Sequence, residues 1–264
     1  MGVPSWDPAL YLAFGAERTQ PAVDLVARLR LAAPRSIVDL GCGPGNSTAI
    51  LRSRWPSASI TGIDNDPAML AAAERTDPSV RWVQANVATW APSESYDLVF
   101  SNALLQWLPD HANIIRRFFG AVAPGGALAV QLPTHLTSPL HRHMLEVADQ
   151  PQWRTVTAGA RQAISTHSVA FYYDALCAVT PRLDLWETEY CHVVSDPQAI
   201  VDWIRGTGLR PFLGALATDT ERLAFQAALL ERVTGSYPRR ADGRVLFPFR
   251  RLFIIAYRQP VESL

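Results

Sequence analysis

Residues 36–46, Ser-Ile-Val-Asp-Leu-Gly-Cys-Gly-Pro-Gly-Asn, predict how this chain folds. The short apolar run at positions 37–40 is typical of a buried parallel strand. A helical pattern begins directly after the three glycines that follow, which are Gly41, Gly43 and Gly45. Such a turn lets the backbone approach a ligand closely, and the helix behind it presents unpaired N–H groups at its positive end. The stretch therefore predicts a site for a polar ligand at the carboxyl end of a strand.

The rest of the chain continues this alternation of strands and helices. Strands are predicted near 36–40, 59–63, 81–85, 97–101, 126–131, 183–193 and 252–257. Helices are predicted near 46–55, 67–75, 111–120 and 169–179, from Ser138, and through most of 197–237. A further helix is expected to start at Gln20-Pro21, and Pro124-Gly125-Gly126 is expected to form a tight turn. The pattern predicts a single α/β domain over 1–264, with a doubly wound, mostly parallel seven-stranded sheet.

Two parts of the chain are expected to lie outside this sheet. Residues 1–33 are interpreted as an N-terminal helical cap. Segments 138–180 and 194–250 are interpreted as helical segments that cover the carboxyl edge of the sheet, because the connection before the last strand is too long for a hairpin loop.

The spacing of the glycines indicates the ligand. A dinucleotide fingerprint requires G-x-G-x-x-G, whereas this turn reads D-x-G-x-G-x-G from Asp39. The pattern resembles the nucleotide-binding turn of class I methyltransferases that use S-adenosylmethionine (SAM). The next predicted strand ends at Asp64, where a carboxylate can accept both ribose hydroxyls. Together, the turn and the carboxylate predict a SAM site.

Composition excludes several other functions. The formal net charge is zero, so no broad basic surface for nucleic acid is evident. All 24 basic residues are arginine, which excludes a Schiff-base lysine and a P-loop lysine. The three cysteines lack C-x-x-C spacing, which argues against a disulfide framework and a metal site, so no metal is expected. We find neither a membrane-spanning apolar run nor a secretory signal, and we expect a cytoplasmic protein.

Arginine is unevenly distributed. Residues 205–251 contain nine arginines against four acidic residues, an excess of five. This excess fits either a solvated surface or a site for an anionic substrate. The segment after the fourth strand, 101–108, lacks the Asn-Pro-Pro-Tyr or Asp-Pro-Pro-Tyr motif of methyltransferases that modify bases or glutamine. Its absence also disfavours a nucleic-acid substrate.

The chain resembles the trans-aconitate 2-methyltransferase family over nearly its whole length. The segments that carry the resemblance are WDPALYLAFGAERTQPAVDL, VDLGCGPGNST, ITGIDNDPAML, SNALLQWLPDH, AVQLPTH, YYDAL, IVDWIRGTGLRPFL and FPFRRLFIIA. Two positions depart from the family pattern, which usually has an arginine at Gln20 and an acidic residue at Asn86. The Asn86 side-chain oxygen can still accept a hydrogen bond from the adenine amino group, whereas Gln20 cannot bind an anion by charge.

The resemblance implies a Rossmann-like fold and methyl transfer from SAM to a carboxylate of trans-aconitate, leaving S-adenosylhomocysteine (SAH). The cofactor-binding residues implied are Tyr11, Arg18, Gly41, Cys42, Gly43, Gly45, Asn46, Asp64, Asn65, Met69, Asn86, Val87, Asn102 and Leu105. The substrate-binding residues predicted are Gln106, Trp107, Tyr172, Tyr173, His192, Trp203, Arg210 and Arg250, with Arg18 and Arg251 as alternative clamps. No general base is expected, because a carboxylate is already ionised at neutral pH.

Three alternatives remain open on the sequence. The nearest is a methyltransferase of another small acid or metabolite, because the cofactor half does not specify the substrate. A nicotinamide-dependent dehydrogenase is disfavoured by the glycine spacing. A SAM-binding regulator without catalysis is the third.

Overall fold

The computed structural model describes residues 15–92 and 94–260. These residues form two compact units. The sheet unit comprises Gly15–Pro133, His167–Thr188 and residues 251–260, and the helical unit comprises Thr134–Thr166 and Glu189–Arg250. The predicted single domain and the covering role of 138–180 and 194–250 stay predictions.

Seven strands form one sheet in the order β3-β2-β1-β4-β5-β7-β6. Strands β1 to β5 pair in parallel, and β7 pairs antiparallel with β5. The predicted fold class, an α/β protein with a mostly parallel seven-stranded sheet, is therefore confirmed. The strands are β1 Ser36–Leu40, β2 Ser59–Asp64, β3 Arg81–Gln84, β4 Tyr96–Asn102, β5 Val122–Pro133, β6 Leu183–Val194 and β7 Val245–Tyr257.

Nine α-helices belong to the described residues. They are α1 Gly15–Arg28, α2 Asn46–Arg54, α3 Pro67–Thr76, α4 His111–Gly120, α5 Pro139–Ala148, α6 Val169–Cys177, α7 Pro197–Arg205, α8 Arg210–Ala215 and α9 Asp219–Ser236. None of the helices in these residues is long and apolar enough to cross a membrane.

The core of the sheet unit lies between the sheet and helices α4 and α6. Apolar residues of β1, β4, β5 and β7 pack there against Ile115, Phe118 and Leu176 of the two helices, and all three are fully buried. Burial of such side chains contributes about 1.5–3 kcal/mol each. The core therefore holds the central strands rigidly, and their carboxyl ends are fixed in position.

The helical unit has a separate core. Helix α9 packs against α5 and α7, and the core includes Trp153, Trp203 and Phe225. Asp196 caps α7 by accepting the N–H of Ala199 at 3.0 Å, as Asp196-Pro197 predicted. The helical prediction for this region is confirmed.

Three predicted boundaries are wrong. Helix α1 begins at Gly15, so Pro21 lies inside it and removes one helical hydrogen bond. Strand β7 begins at Val245, before the predicted start at 252, and alternate residues of this first part are buried in the helical core. Strand β5 begins at Val122. Tyr96 of β4 pairs with Val122 and Leu98 pairs with Ala127, so the predicted glycine turn is a bulge inside β5.

Candidate functional site

The glycine turn after β1 has the backbone conformation that its sequence predicted. Gly41, Gly43 and Gly45 all have positive φ, at 71°, 53° and 92°. The N–H groups of Gly41 and Cys42 donate to the carbonyl of Ile63 at 2.7 and 3.1 Å. A Cβ at Gly41 would lie 2.8 Å from Leu104, so that position requires glycine for space as well as for φ. The turn is thereby fixed against the end of β2, and α2 begins at Asn46 directly after it.

Asp64 links β2 to this turn. Its Oδ2 accepts the N–H of Gly43 at 2.9 Å, and its Oδ1 accepts the N–H of Asp66 at 2.9 Å. Burial raises the pKa of the Asp64 carboxyl, and the two hydrogen bonds oppose this rise. Because a carboxylate has about four acceptor positions, each oxygen retains one for a hydroxyl group. The geometry suits a ligand that presents two neighbouring hydroxyls.

A second carboxylate, Asp39, lies fully buried at the end of β1. Its Oδ2 accepts the hydroxyls of Ser47 and Thr48, both at 2.7 Å, whereas Oδ1 has no partner among the residues that the structure describes. Burial raises the pKa of Asp39 to about 6, and the nearby Asp64 contributes to the rise. A cation bound beside it would favour the ionised form. Sequence reasoning used Asp39 as part of the motif but did not assign it to the site.

The residues predicted for the adenine and ribose lie at the ends of β2 and β3. Asn65 and Asn86 are exposed, whereas the side chains of Met69 and Val87 are buried. Asn86 Oδ1 accepts the N–H of Ala88 at 2.9 Å, which uses one of its two acceptor positions. The predicted contact with the adenine amino group thus depends on the second position.

Trp82 is a residue that sequence reasoning missed. Its ring lies over Gly62, where an added Cβ would overlap the ring, and a Cβ on Gly45 would lie 3.2 Å from the same ring. The indole Nε1 donates to the carbonyl of Asp77 at 2.9 Å and fixes the ring. Trp82 therefore supports the glycine turn from β3. A tryptophan in a short strand gave no signal of this role.

The turn after β4 brings together several polar side chains. Ala103 has φ +56°, a strained value for a residue with a Cβ. Its N–H donates to the carbonyl of Gln131 at 2.9 Å, and its carbonyl accepts Gln106 Nε2 at 2.6 Å. Asn102 Oδ1 and Gln106 Oε1 are buried and lack a partner in the described parts of the chain. Leu105 is fully buried in the core, and Trp107 is half-buried.

Tyr172 is a core residue. It is fully buried, and its hydroxyl lies 2.6 Å from His111 Nδ1. His111 Nε2 lies 3.0 Å from the carbonyl of Leu108, which only accepts, so this network assigns the ring proton to Nε2 and the tyrosine as donor to Nδ1. Burial lowers the pKa of His111 and raises that of Tyr172. The neighbouring Tyr173 is about half exposed. The predicted substrate role of both tyrosines stays a prediction.

The helical unit holds four predicted substrate residues. The rings of His192 and Trp203 lie 4.5 Å apart, and Trp203 is buried in the helical core. Arg210 is the first residue of α8 and is half-buried. Arg250 is half exposed, and its Nη2 lies 3.6 Å from Oε2 of the exposed Glu189. Arg250 is therefore in an exposed ion pair, and its predicted substrate role stays a prediction.

Two other arginines are buried in the sheet unit. Arg251, at the next position of β7, is 6% exposed, as is Arg18 on α1. Helix α1 packs against β5, and Arg251 pairs in register with Pro133 of β5. Successive residues of a strand face opposite sides, which explains the contrast between Arg250 and Arg251. Tyr11 lies outside the described residues.

The fold and the site define a class of protein. A parallel sheet with one antiparallel strand inserted, a D-x-G-x-G-x-G turn after β1 and a carboxylate after β2 characterise a class I methyltransferase. The family model "Methyltransferase domain" matches residues 37–126. Phosphoethanolamine N-methyltransferase 2 from Haemonchus contortus has the same fold, with a TM-score of 0.55 and 13% identity, over 91% of this chain and 53% of that chain.

Curated relatives match the chain far beyond the cofactor region. A trans-aconitate 2-methyltransferase from Acidovorax ebreus (strain TPSY) is 49% identical over 97% of this chain and 99% of the relative. Another from Azoarcus sp. (strain BH72) is 47% identical over 97% of this chain and 100% of the relative. The chain belongs to the trans-aconitate 2-methyltransferase family, and the predicted family is confirmed.

Proposed function

We propose that this protein transfers a methyl group from SAM to a carboxylate of trans-aconitate, which yields a monomethyl ester and SAH. The observation that carries the proposal is the extent of the similarity. Relatives named for this activity match 97% of the chain, so the likeness includes the helical unit, whereas the general methyltransferase model stops at residue 126. The residues outside the cofactor region are those expected to select the substrate.

The methyl donor is SAM. The open acceptor positions of Asp64 suit the two ribose hydroxyls of SAM. The glycines of the turn have positive φ and no side chains, so the cofactor can approach the backbone there. The unpartnered oxygen of Asp39 suits a cationic part of the cofactor, which carries both an ammonium and a sulfonium group. The predicted residues Asn65, Asn86 and Val87 follow the ends of β2 and β3, and Met69 lies in the first turn of α3, on the side where the adenine is expected.

The chemistry requires positioning more than acid–base catalysis. A lone pair on the substrate carboxylate forms the new O–C bond as the S–C bond breaks, and the sulfonium becomes a neutral thioether. The carboxylate is ionised at neutral pH, so no proton has to be removed. Alignment of the oxygen, the methyl and the sulfur can supply about 7–11 kcal/mol of the barrier reduction. The nearby histidine, His111, is already held between Tyr172 and Leu108.

The substrate is a trianion, so its site needs cations. We assign this role to Arg251 and Arg18, because both are buried in the sheet unit and buried guanidinium groups suit carboxylates. The substrate roles predicted for Arg210, His192 and Trp203 stay predictions. We give Arg250 no part in the proposed clamp, because its guanidinium is in an exposed ion pair, and the roles of Tyr172 and Tyr173 stay predictions. We further propose that the enzyme acts in the cytoplasm on a free small molecule, without nucleic-acid or membrane partners.

The test is an incubation of the protein with SAM and a panel of di- and tricarboxylates, followed by mass spectrometry. A mass gain of one methylene on trans-aconitate, in preference to the other acids, supports the proposal. Preferential methylation of another acid identifies the alternative substrate. Transfer to none of the acids, with SAM bound, contradicts the proposed function.

A further inference from the structure

Gln131, near the carboxyl end of β5, is a fully buried polar residue whose side chain is unexplained by packing. It is 0% exposed, and neither its Nε2 nor its Oε1 has a hydrogen-bond partner among the residues that the structure describes. The backbone carbonyl of Gln131, in contrast, has a hydrogen-bond partner, since it accepts the N–H of Ala103 at 2.9 Å.

The register of the sheet locates this amide on the ligand side of the fold. Gln131 pairs with Asn102, the last residue of β4, and residues that pair in a sheet place their side chains on one face. Its neighbours Val130 and Leu132 face the core cluster, so Gln131 points to the opposite face. Ligands of open α/β sheets bind beyond the carboxyl ends of the strands. Gln131 therefore lies where β4 and β5 meet this edge.

The order of the strands separates most residues predicted for the methyl donor from the end of β5. The glycine turn, Asp64 and Asn86 follow β1, β2 and β3, which occupy one side of the sheet. Most residues predicted to bind the methyl donor lie on that side, and Asn102 and Leu105 lie at and just after the end of β4, so the end of β5 is left for the methyl acceptor. Arg251 pairs with Pro133, two residues beyond Gln131 on β5, so a buried cation lies on the same face.

A fully buried amide without partners destabilises a folded protein, and such groups in native structures call for a functional or structural reason. The Gln131 Nε2 carries two N–H donors and can satisfy a carboxylate oxygen. The side-chain oxygens of Asn102 and Gln106 also lack a partner in the described residues, so neither of them accepts a hydrogen bond from Gln131. A carboxylate is thus the ligand group that complements the donor end of Gln131.

We propose that Gln131 is a substrate-binding residue that donates hydrogen bonds from Nε2 to a carboxylate of the acid substrate. This inference rests on the proposed function and specifies which residue recognises the acid. The neutral amide of Gln131 donates a directional hydrogen bond to one oxygen of the carboxylate, and the buried arginines supply the positive charge. Recognition by a fixed amide would select the carboxylate and its position in the site.

Three variants test this role. Gln131→Met removes both donors and keeps a similar volume. Gln131→Glu keeps the shape but makes the group an acceptor when ionised and a donor only when protonated. The control is Gln152→Met, because Gln152 is exposed in the helical unit and its amide bonds only Gln150 among the residues described, at 2.8 Å. For each variant, acid binding to the SAH-loaded protein, the Michaelis constant for the acid, SAM affinity and the thermal midpoint are measured.

We expect Gln131→Met to weaken acid binding by about tenfold or more, the loss expected for a hydrogen bond to a charged group. SAM affinity should stay within about twofold of wild type, and the thermal midpoint should be unchanged or higher, because a stranded polar group has been removed. Gln131→Glu should bind acid more weakly still, and its affinity relative to wild type should recover as pH falls and the glutamate gains a proton. Gln152→Met should match wild type throughout.

The outcomes separate this inference from the proposed function. If wild type methylates the acid and Gln131→Met binds it within about twofold of wild type, the inference is wrong and the function stands. A lowered thermal midpoint with unchanged acid binding assigns Gln131 to packing alone and also overturns it. If wild type binds SAM but neither binds nor methylates any acid, the proposed function fails and the inference fails with it.

Discussion

Replacing Asp64 by asparagine perturbs the carboxylate at the end of β2 while keeping the shape of its side chain. In the structure the two Asp64 oxygens accept the N–H groups of Gly43 and Asp66, each at 2.9 Å. An asparagine offers one oxygen where two are used, so its NH2 group must face one of these N–H donors. We therefore expect Asp64→Asn to loosen the glycine turn and to weaken the ribose contact together.

The expected magnitudes follow from these contacts. A buried donor left without a partner costs about 1–3 kcal/mol, which is the predicted loss in the free energy of unfolding. A hydrogen bond to a charged group contributes about 1.5–3 kcal/mol, and 1.4 kcal/mol corresponds to a factor of ten in affinity. Loss of the charged ribose contact should thus weaken SAM binding roughly tenfold to hundredfold.

Calorimetry of SAM binding, together with thermal unfolding, measures both effects. The control is Asp66→Ala, because the Asp66 side chain caps α3 by accepting the N–H groups of Ala68 and Met69 at 2.8 and 3.3 Å. Loss of such a cap costs about 0.5–2 kcal/mol of stability, and SAM affinity should not change. If Asp64→Asn lowers stability but binds SAM as tightly as wild type, Asp64 only holds the turn and the ribose assignment is wrong.

The remaining predictions concern other parts of the site. Burial raises the pKa of Asp39 to about 6 and cationic SAM favours its ionised form, so SAM affinity should rise with pH through about 6, with proton release. Calorimetry in two buffers measures the proton released when SAM binds, and Asp39→Asn should abolish this release. Gly62→Ala should overlap the Trp82 ring and destabilise the fold by about 1–3 kcal/mol in denaturant titrations; an unchanged midpoint contradicts the packing described. Arg251→Ala should raise the acid Michaelis constant more than about tenfold and Arg250→Ala less than about twofold, because only the latter is in an exposed ion pair; equal effects contradict the assignment. At saturating SAM, the single-turnover rate should be flat from about pH 6 to 9, and a limb near 7 that a histidine substitution removes would indicate a general base.

Local sequence patterns predicted most of the fold because they act over short distances. The apolar run and glycines of 36–46 determine a strand, a turn and a helix without help from distant residues. The errors occurred where long-range packing decides. The last strand was predicted to begin at Leu252, but Phe247 and Phe249 are buried in the helical core and extend the strand. Pro21 similarly suggested a helix start, although the helix continues through it.

The site was predictable on the cofactor side and less so on the substrate side. The glycine turn and Asp64 are close in sequence to the strands that position them, so their geometry followed from the motif. Which of Arg250 and Arg251 is buried depends on the register of β7 with β5, which the sequence does not reveal. Gln131 gave no signal either, because its importance comes from the lack of a partner in the folded chain.

The identity of the methylated atom tests the central claim most directly. The protein is incubated with SAM carrying an isotopically labelled methyl group and with trans-aconitate, and the product is examined by nuclear magnetic resonance before and after mild alkaline hydrolysis. We predict a single labelled methyl ester that hydrolysis converts back to trans-aconitate with release of labelled methanol. A labelled methyl group that survives hydrolysis on carbon, or the absence of any labelled acid while SAM is bound, would contradict carboxylate methylation.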